Sequence, residues 1–349
     1  MDNNKYFGYP LENYSSESFY SISKNFEVPD NKNFYHYASV DAVRSMLQHK
    51  DQTYTMWASH LSFLNDSEEF ENGERLMFRV LKNFIKNDLC GAHHEDNEIF
   101  RNIVETFINA AKSADKDISI NDEIIFNRNI YILCFCMEKN SLNQWKYYGR
   151  ESGIALEFNL RECDVSGVDC NDENNTICPQ IYKVIYDDKE KRSIVENFIS
   201  KKYQVFLRGS EDRERNLLRA LANMYGICPL FKHKDFRDEK ECRMIFRPLY
   251  SYSQKPQDVR RLVKYRKRGD ILLPYMEIKL HLNSGHSIAA PLIKNIYIGP
   301  GENQDLLYMS IRHFALHMGV FDGYMKDDHD NIQEIVKRHI IKSNTPFRG

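Results

Sequence analysis

Apolar positions change their period several times along the chain, and each change predicts an element. The aromatic run 33–37 reads as a short strand. Val40, Val43, Met46 and Leu47 then recur at helical spacing over 40–49, with Ser39 placed to cap the helix. Residues 53–63, rich in Thr, Tyr, Trp and Phe, return to strand character and break at Asn65-Asp66. Helical spacing resumes over 68–87, 97–111 and 122–127. Two continuous apolar runs, 130–137 and 154–159, predict buried strands, with the polar aromatic segment 141–153 between them and a further strand at 180–186. Amphipathic helices are expected over 189–207 and 211–225. The second half returns to sheet at 241–247, 262–267, 271–280 and 294–298, with Lys267-Arg268-Gly269-Asp270 supplying hairpin chemistry. A helix over 304–318 follows the Gly299-Pro300-Gly301 break. The sum is an α+β protein with a mixed, mostly antiparallel central sheet and flanking helices. We expect a single domain over 31–349, with helical inserts at 67–128 and 188–226, behind a flexible leader of residues 1–30.

With 349 residues, 42% of them hydrophobic and 28% charged, the chain can bury a sizeable core. Its longest apolar run is far short of a bilayer span, and its start lacks the basic and apolar regions of a signal peptide. A cytoplasmic protein with no membrane partner is expected. Eight cysteines without a CxxC pair then read as reduced thiols. A formal net charge of −2 places no whole-chain demand on nucleic acid. Charge is uneven, however: 259–268 holds six basic residues and no acidic one, and 66–74 holds five acidic residues.

Chemistry is most concentrated in 231–247. Glu239, Glu241 and Arg243 stand at alternate positions where the chain turns into a strand, so alternation puts them on one face, with Lys232 and Lys234 nearby. Paired carboxylates with cationic neighbours suit acid and base work. The competing structural reading is a charged edge strand that resists aggregation. His36, between Tyr35 and Tyr37, suits either a ribose hydroxyl or a satisfied core position. Asp66 and Glu69 read as a helix capping box. Trp145 reads as packing, whereas Gln144 and Tyr148 carry polar tips that need partners. Cys163, Cys170 and Cys178 are spaced wrongly for a zinc knuckle, so no structural metal is expected. Asp238-Glu239-Lys240 fits the acid-x-lysine tail of metal-dependent nucleases. Neither a phosphate-cradling glycine loop nor a GxSxG elbow occurs.

Several segments together resemble a bacterial family catalogued as domain of unknown function 2971, often encoded near phage-defence genes. The marks are Tyr35-His36-Tyr37, Leu64-Asn65-Asp66 with Glu69, Trp145 to Tyr148 leading into 153–158, and Lys234 with Glu239, Glu241 and Arg243. Pro274-Tyr275, Ile298-Gly299-Pro300 and the segment 343–348 complete a likeness that runs along most of the chain. Ser67 and Phe236 depart from it, standing where the family often has Pro and Trp. The resemblance implies a defence-system setting and a partner protein within it, but no reaction.

The order of residues is also similar to that of ADP-ribosyltransferases, which carry a His on the first strand, an aromatic second strand and a late ExE. Glu239-Lys240-Glu241 matches the last of these. This second resemblance implies NAD as the substrate, with His36 on ribose, Tyr37 or Trp57 stacked on nicotinamide, and Ser59 and Tyr148 beside the nucleotide. Arg243 would contact pyrophosphate, and Glu239 would orient an acceptor on a protein or nucleic-acid target. Glu241 would be catalytic, its charge set beside the oxocarbenium-like state. Two other readings stand beside this one: a metal-dependent nuclease or nucleic-acid binder using 259–268, and a non-catalytic sensor or antitoxin-like partner.

Overall fold

A computed structural model describes residues 22–48, 53–64, 69–89, 94–113, 130–149, 153–168, 176–209, 211–246, 261–282, 291–325 and 330–345. The first 21 residues of the expected leader, the helix at 122–127, and Asp66 with the Glu69 side chain lie outside the described residues. Strands β1 (Phe34–Ser39), β2 (Tyr54–His60), β3 (Tyr131–Cys136), β4 (Gly153–Phe158), β5 (Cys163–Ser166), β6 (Ile181–Lys183), β7 (Glu241–Phe246), β8 (Val263–Arg268), β9 (Ile271–Leu282), β10 (Ile293–Ile298) and β11 (Ile340–Lys342) join one mixed sheet. The helices that pack on it are α1 (Val40–Met46), α2 (Glu69–Asn87), α3 (His94–Ser113), α4 (Asp188–Leu207), α5 (Arg213–Gly226), α6 (Gln304–His317) and α7 (Ile332–His339). The expected α+β class is the one observed. Sequence patterning did not predict β5, α7 or β11, which at 4, 8 and 3 residues are too short to display a period.

Strand order runs β11-β10-β4-β1-β3-β2-β9-β5, with β7 also on β3, β6 on β7 and β8 on β9. β10 and β11 run parallel, and the other named pairs are antiparallel. The sheet branches at β9, which pairs with β2, β5 and β8, and at β3. One of its edges is covered by β7 from Tyr131↔Phe246 to Cys136↔Glu241. The opposite edge is shared by β1, at Cys136, and β2, at Tyr131 and Ile132. These two strands therefore splay apart along β3.

One face of the sheet closes on a core that includes Phe34, Leu156, Phe135, Met244 and Ile278, with α1, α6 and α7 packed against it. Ser39 caps α1 by accepting from the Ala42 N–H at 3.4 Å, and Val43 and Leu47 bury as expected. Val40 stays 37% exposed, because a side chain at the first helical position leans back past the helix start and not onto the sheet.

On the opposite face α2 to α5 form one helical layer. Met77, Leu81 and Phe84 of α2 meet Phe100, Val104 and Phe107 of α3, Val195 and Phe198 of α4, and Leu217 and Leu221 of α5. Each such side chain contributes about 1.5–3 kcal/mol on burial. The two stretches that read as separate inserts thus share a core. Ile22 and Phe26 join it, so the end of the expected leader is packed.

Beside that layer, over β1, β4 and β10, Tyr35, Tyr37, Cys136, Trp145, Ala155 and Tyr297 make a small aromatic core. Trp145 fits there because Gly299 has no side chain: a Cβ at 299 would lie 2.8 Å from Trp145 Cε3 and 2.9 Å from the Gly153 carbonyl oxygen. Gly299→Ala should therefore cost about 1–3 kcal/mol by overpacking, measured by urea denaturation. An unchanged midpoint would show that the Trp145 contact gives way freely.

Candidate functional site

The charged cluster is assembled by three local devices. Lys232 follows the end of α5 and is held to Ile185 by a backbone hydrogen bond of 3.1 Å. His233 caps the 3₁₀ turn Lys234–Glu239, its Nδ1 accepting from the Asp235 N–H. Lys240 then adopts φ 46°, a left-handed conformation that turns the chain into β7. Glu239 therefore ends the turn and does not lie on the strand, contrary to the simple alternation expected from sequence. It still reaches the cluster, because Lys232 Nζ donates to Glu239 Oε2 at 2.6 Å and to Glu241 Oε2 at 3.1 Å.

Glu241 is the centre of the network. Arg243 grips it with two bonds, Nε to Oε1 at 2.9 Å and Nη2 to Oε2 at 2.8 Å, and donates a third from Nη1 to the Pro229 carbonyl. The Tyr186 hydroxyl accepts from the Glu241 N–H at 2.9 Å. Arg243 is only 1% exposed, so the side chain that the transferase resemblance placed on pyrophosphate is enclosed by protein. The edge-strand reading is overturned as well: β7 is flanked by β3 and β6, and its charges are buried.

Tyr148 borders this cluster. It belongs to the single π-helical turn Trp145–Gly149, which holds Trp145 buried and leaves Tyr147 and Tyr148 exposed. Burial of its hydroxyl, with Cys134, Glu239 and Glu241 close by, pushes the Tyr148 phenol up from its ordinary value. Gln144, the other polar candidate of this segment, is buried.

Trp57 and Ser59 belong to a second cluster. Trp57 is 40% exposed and its ring centroid lies 4.6 Å from that of Tyr275, with the Arg266 guanidinium 5.3 Å from the Trp57 ring centre. Arg266 Nη2 donates to Ser59 Oγ at 3.0 Å, and Lys264 pairs with Glu277. The registers Ser59↔Ile132 and Ile132↔Ile245 put Trp57 and Ser59 on the same sheet face as Glu241 and Arg243. Sequence reasoning did not single out Arg266 or Tyr275 individually, although the basic run and the Pro274-Tyr275 mark contained them.

His36 and Tyr37 take other places. His36 registers with Leu156 and packs edge-on against Phe135, so it faces the core on the far side of the sheet from Glu241. Its Nδ1 lies 3.1 Å from the Cys134 carbonyl oxygen, and burial lowers its pKa. Tyr37 is a buried strut: its hydroxyl donates to the Glu138 carbonyl at 2.9 Å and accepts from the Ser141 N–H at 3.0 Å, while its ring meets Trp145 edge-on.

Asp238, the first acid of the nuclease-like tripeptide, is largely exposed beside Arg237, while Glu239 turns toward Lys232. Among the described residues no group of three His, Cys, Asp or Glu is arranged to hold a metal ion, and no helix is long and apolar enough to cross a membrane.

Residues 144–244 match the model of a family described as protein of unknown function, DUF2971. The family expected from the sequence is borne out over this span, which is narrower than the likeness anticipated along most of the chain. The DUF2971 region takes in Tyr148, Lys232, Glu239, Glu241 and Arg243, and leaves out His36, Trp57 and Ser59. No curated protein and no solved structure matches the chain.

Two measurements test the network. Arg243→Met removes one partner of a buried pair and should cost about 3–5 kcal/mol in urea denaturation. The second is acid titration. Burial alone would raise the Glu241 carboxyl, but Arg243 and Lys232 beside it hold it down to about 2, from an ordinary 4.5. Its contribution to stability is thus complete above 4.5 and lost as pH falls through about 2. Stability should decline more steeply across that window in the parent chain than in Glu241→Gln; parallel curves would contradict the assignment.

Proposed function

We propose that the protein is a nucleotide-directed transferase that consumes NAD, with the nicotinamide ring held at Trp57. The observation that carries this reading is the shared face: exposed Trp57 and half-buried Ser59 stand on the same side of the sheet as the Glu239 and Glu241 cluster. Ser59 and Ile245 stand two interstrand spacings apart across β3, about 10 Å, and Trp57 and Glu241 lie farther apart on the same face, beyond the point where β2 leaves β3. In such a reaction the bond between the ribose carbon and nicotinamide breaks. Nicotinamide leaves with the bonding pair, and an acceptor on a protein or nucleic acid attacks the ribose carbon. A carboxylate beside that carbon offsets its transient positive charge. Glu239, whose side chain is 17% exposed against 8% for Glu241, is the carboxylate a ligand reaches. Glu241 and Lys232 position it. His36, facing the other core, has no part in this version of the site.

Incubation with labelled NAD and cell extract tests the proposal. Release of nicotinamide by the parent chain is expected, with at least tenfold loss in Trp57→Ala and in Glu239→Gln. Absence of release in the presence of both protein and nucleic-acid acceptors would reject it.

A second reading is favoured by a specific arrangement. Lys264, Arg266 and Arg268 alternate along β8, which puts them on one strand face, and Arg266 there lies over Trp57. Cations beside aromatic rings are the components of a platform for single-stranded nucleic acid. Oligonucleotide binding followed by fluorescence anisotropy should then weaken steeply with salt, and Trp57→Ala should cost about 1–3 kcal/mol. Salt-independent binding would remove this reading.

A further inference from the structure

The helical layer carries a groove of about 510 Å³ between α2 and α3, remote in sequence from both clusters. Its polar lining is mainly cationic. Lys82 and Lys86 from α2 face Arg101 from α3, with Glu105 the acid among them and Ile85 and Ile108 forming an apolar floor. The two lysines are four positions apart, so both project from one side of α2, about 6 Å apart along its axis. Lys112 is not part of the lining but stands beside Lys82 and adds a further cation there: the neighbouring Lys82 lowers the Lys112 pKa, and Glu74 offsets this only in part. Glu74 itself accepts a hydrogen bond from Tyr225 at 2.8 Å. Among the described residues no carboxylate forms an ion pair with Lys82, Lys86, Arg101 or Lys112.

Like charges gathered on two facing helices repel, and a protein without use for them ordinarily sets acids between them. Here the partner must come from outside. Several cations a helical turn apart match a ligand with several adjacent negative groups better than a single carboxylate. Arg101 contributes a planar fork and the lysines contribute point charges, the combination that suits phosphate oxygens. The apolar floor leaves a place for a base or sugar at one end.

We propose that the groove between α2 and α3 binds an oligophosphate, either the phosphate tail of a nucleoside triphosphate or free polyphosphate, on Lys82, Lys86, Arg101 and Lys112. Calorimetric titration of the full chain with sodium tripolyphosphate and, separately, with ATP provides the test. Saturable binding is expected, at least tenfold weaker in the Lys82→Glu/Lys86→Glu double variant and unchanged in Lys337→Glu, an exposed position on α7 beyond the other face of the sheet. Because both lysines are exposed, the double variant should keep the parent's urea midpoint. Tighter binding of ATP than of tripolyphosphate assigns the groove to a nucleotide, and equal binding assigns it to polyphosphate. The proposal is overturned if neither probe binds, if the double variant binds as well as the parent, or if Lys337→Glu loses as much binding as the double variant. A twelve-residue oligonucleotide without terminal phosphate that binds the groove as tightly as tripolyphosphate would also overturn it, since that would make the site a strand-binding surface.

Discussion

The two-pronged grip of Arg243 on Glu241 governs how the sheet and the helical layer meet. A carboxylate and a guanidinium enclosed by protein each lose several kcal/mol of hydration, so every remaining hydrogen-bonding position around them must be filled. The groups that fill them come from separate stretches of chain: Lys232 and the Pro229 carbonyl from the segment after α5, and the Tyr186 hydroxyl from the segment before α4. Satisfying one ion pair thus ties both ends of the α4–α5 excursion to the middle of the sheet. Such a network contributes less to net stability than to specifying one arrangement, because misplacing any member leaves a charge buried alone.

That geometry changes the chemical meaning of the acidic pair. Glu241, the natural candidate for a catalytic carboxylate from its place in an ExE, is the better enclosed of the two and is occupied on both oxygens. Glu239 lies nearer solvent, which makes the pair an anchor and a reachable group instead of two equivalent acids. The DUF2971 match covers this cluster and not the Trp57 platform. The two polar clusters of the shared face therefore differ in standing: one lies within a recognised family region, and the other is known only from its geometry.

Sequence reasoning succeeded where the information is local. The strand beginning at Glu241, the cap at Ser39, the hairpin at 267–270 and the buried runs around 130–137 and 154–159 all appear close to their expected places. It went astray where one residue broke the local rule. Alternation assigned Glu239 to a strand face, but the left-handed Lys240 intervenes, a conformation that no pattern of polarity announces. The edge-strand reading of β7 failed for another reason. Nothing within 241–246 shows that β3 and β6, from distant parts of the chain, lie on either side of it.

Taken alone, the sequence determined the longer elements, the α+β class and the concentration of charge in 231–247, because periodicity, caps and turn chemistry depend on neighbours a few residues apart. The tertiary structure decided which residues meet. Strand alternation says that His36 and Tyr37 face opposite ways, but only register with β4 and β3 shows that His36 takes the face away from Glu241. Likewise, only the pairing of β2 and β7 with β3 puts Trp57 and Glu241 on one surface, and only the approach of Gly299 to Trp145 explains how the π-helical turn is seated. Register and close contact are set between segments far apart in the chain, where the hydrophobic pattern of each strand is satisfied by several possible neighbours and packing selects one.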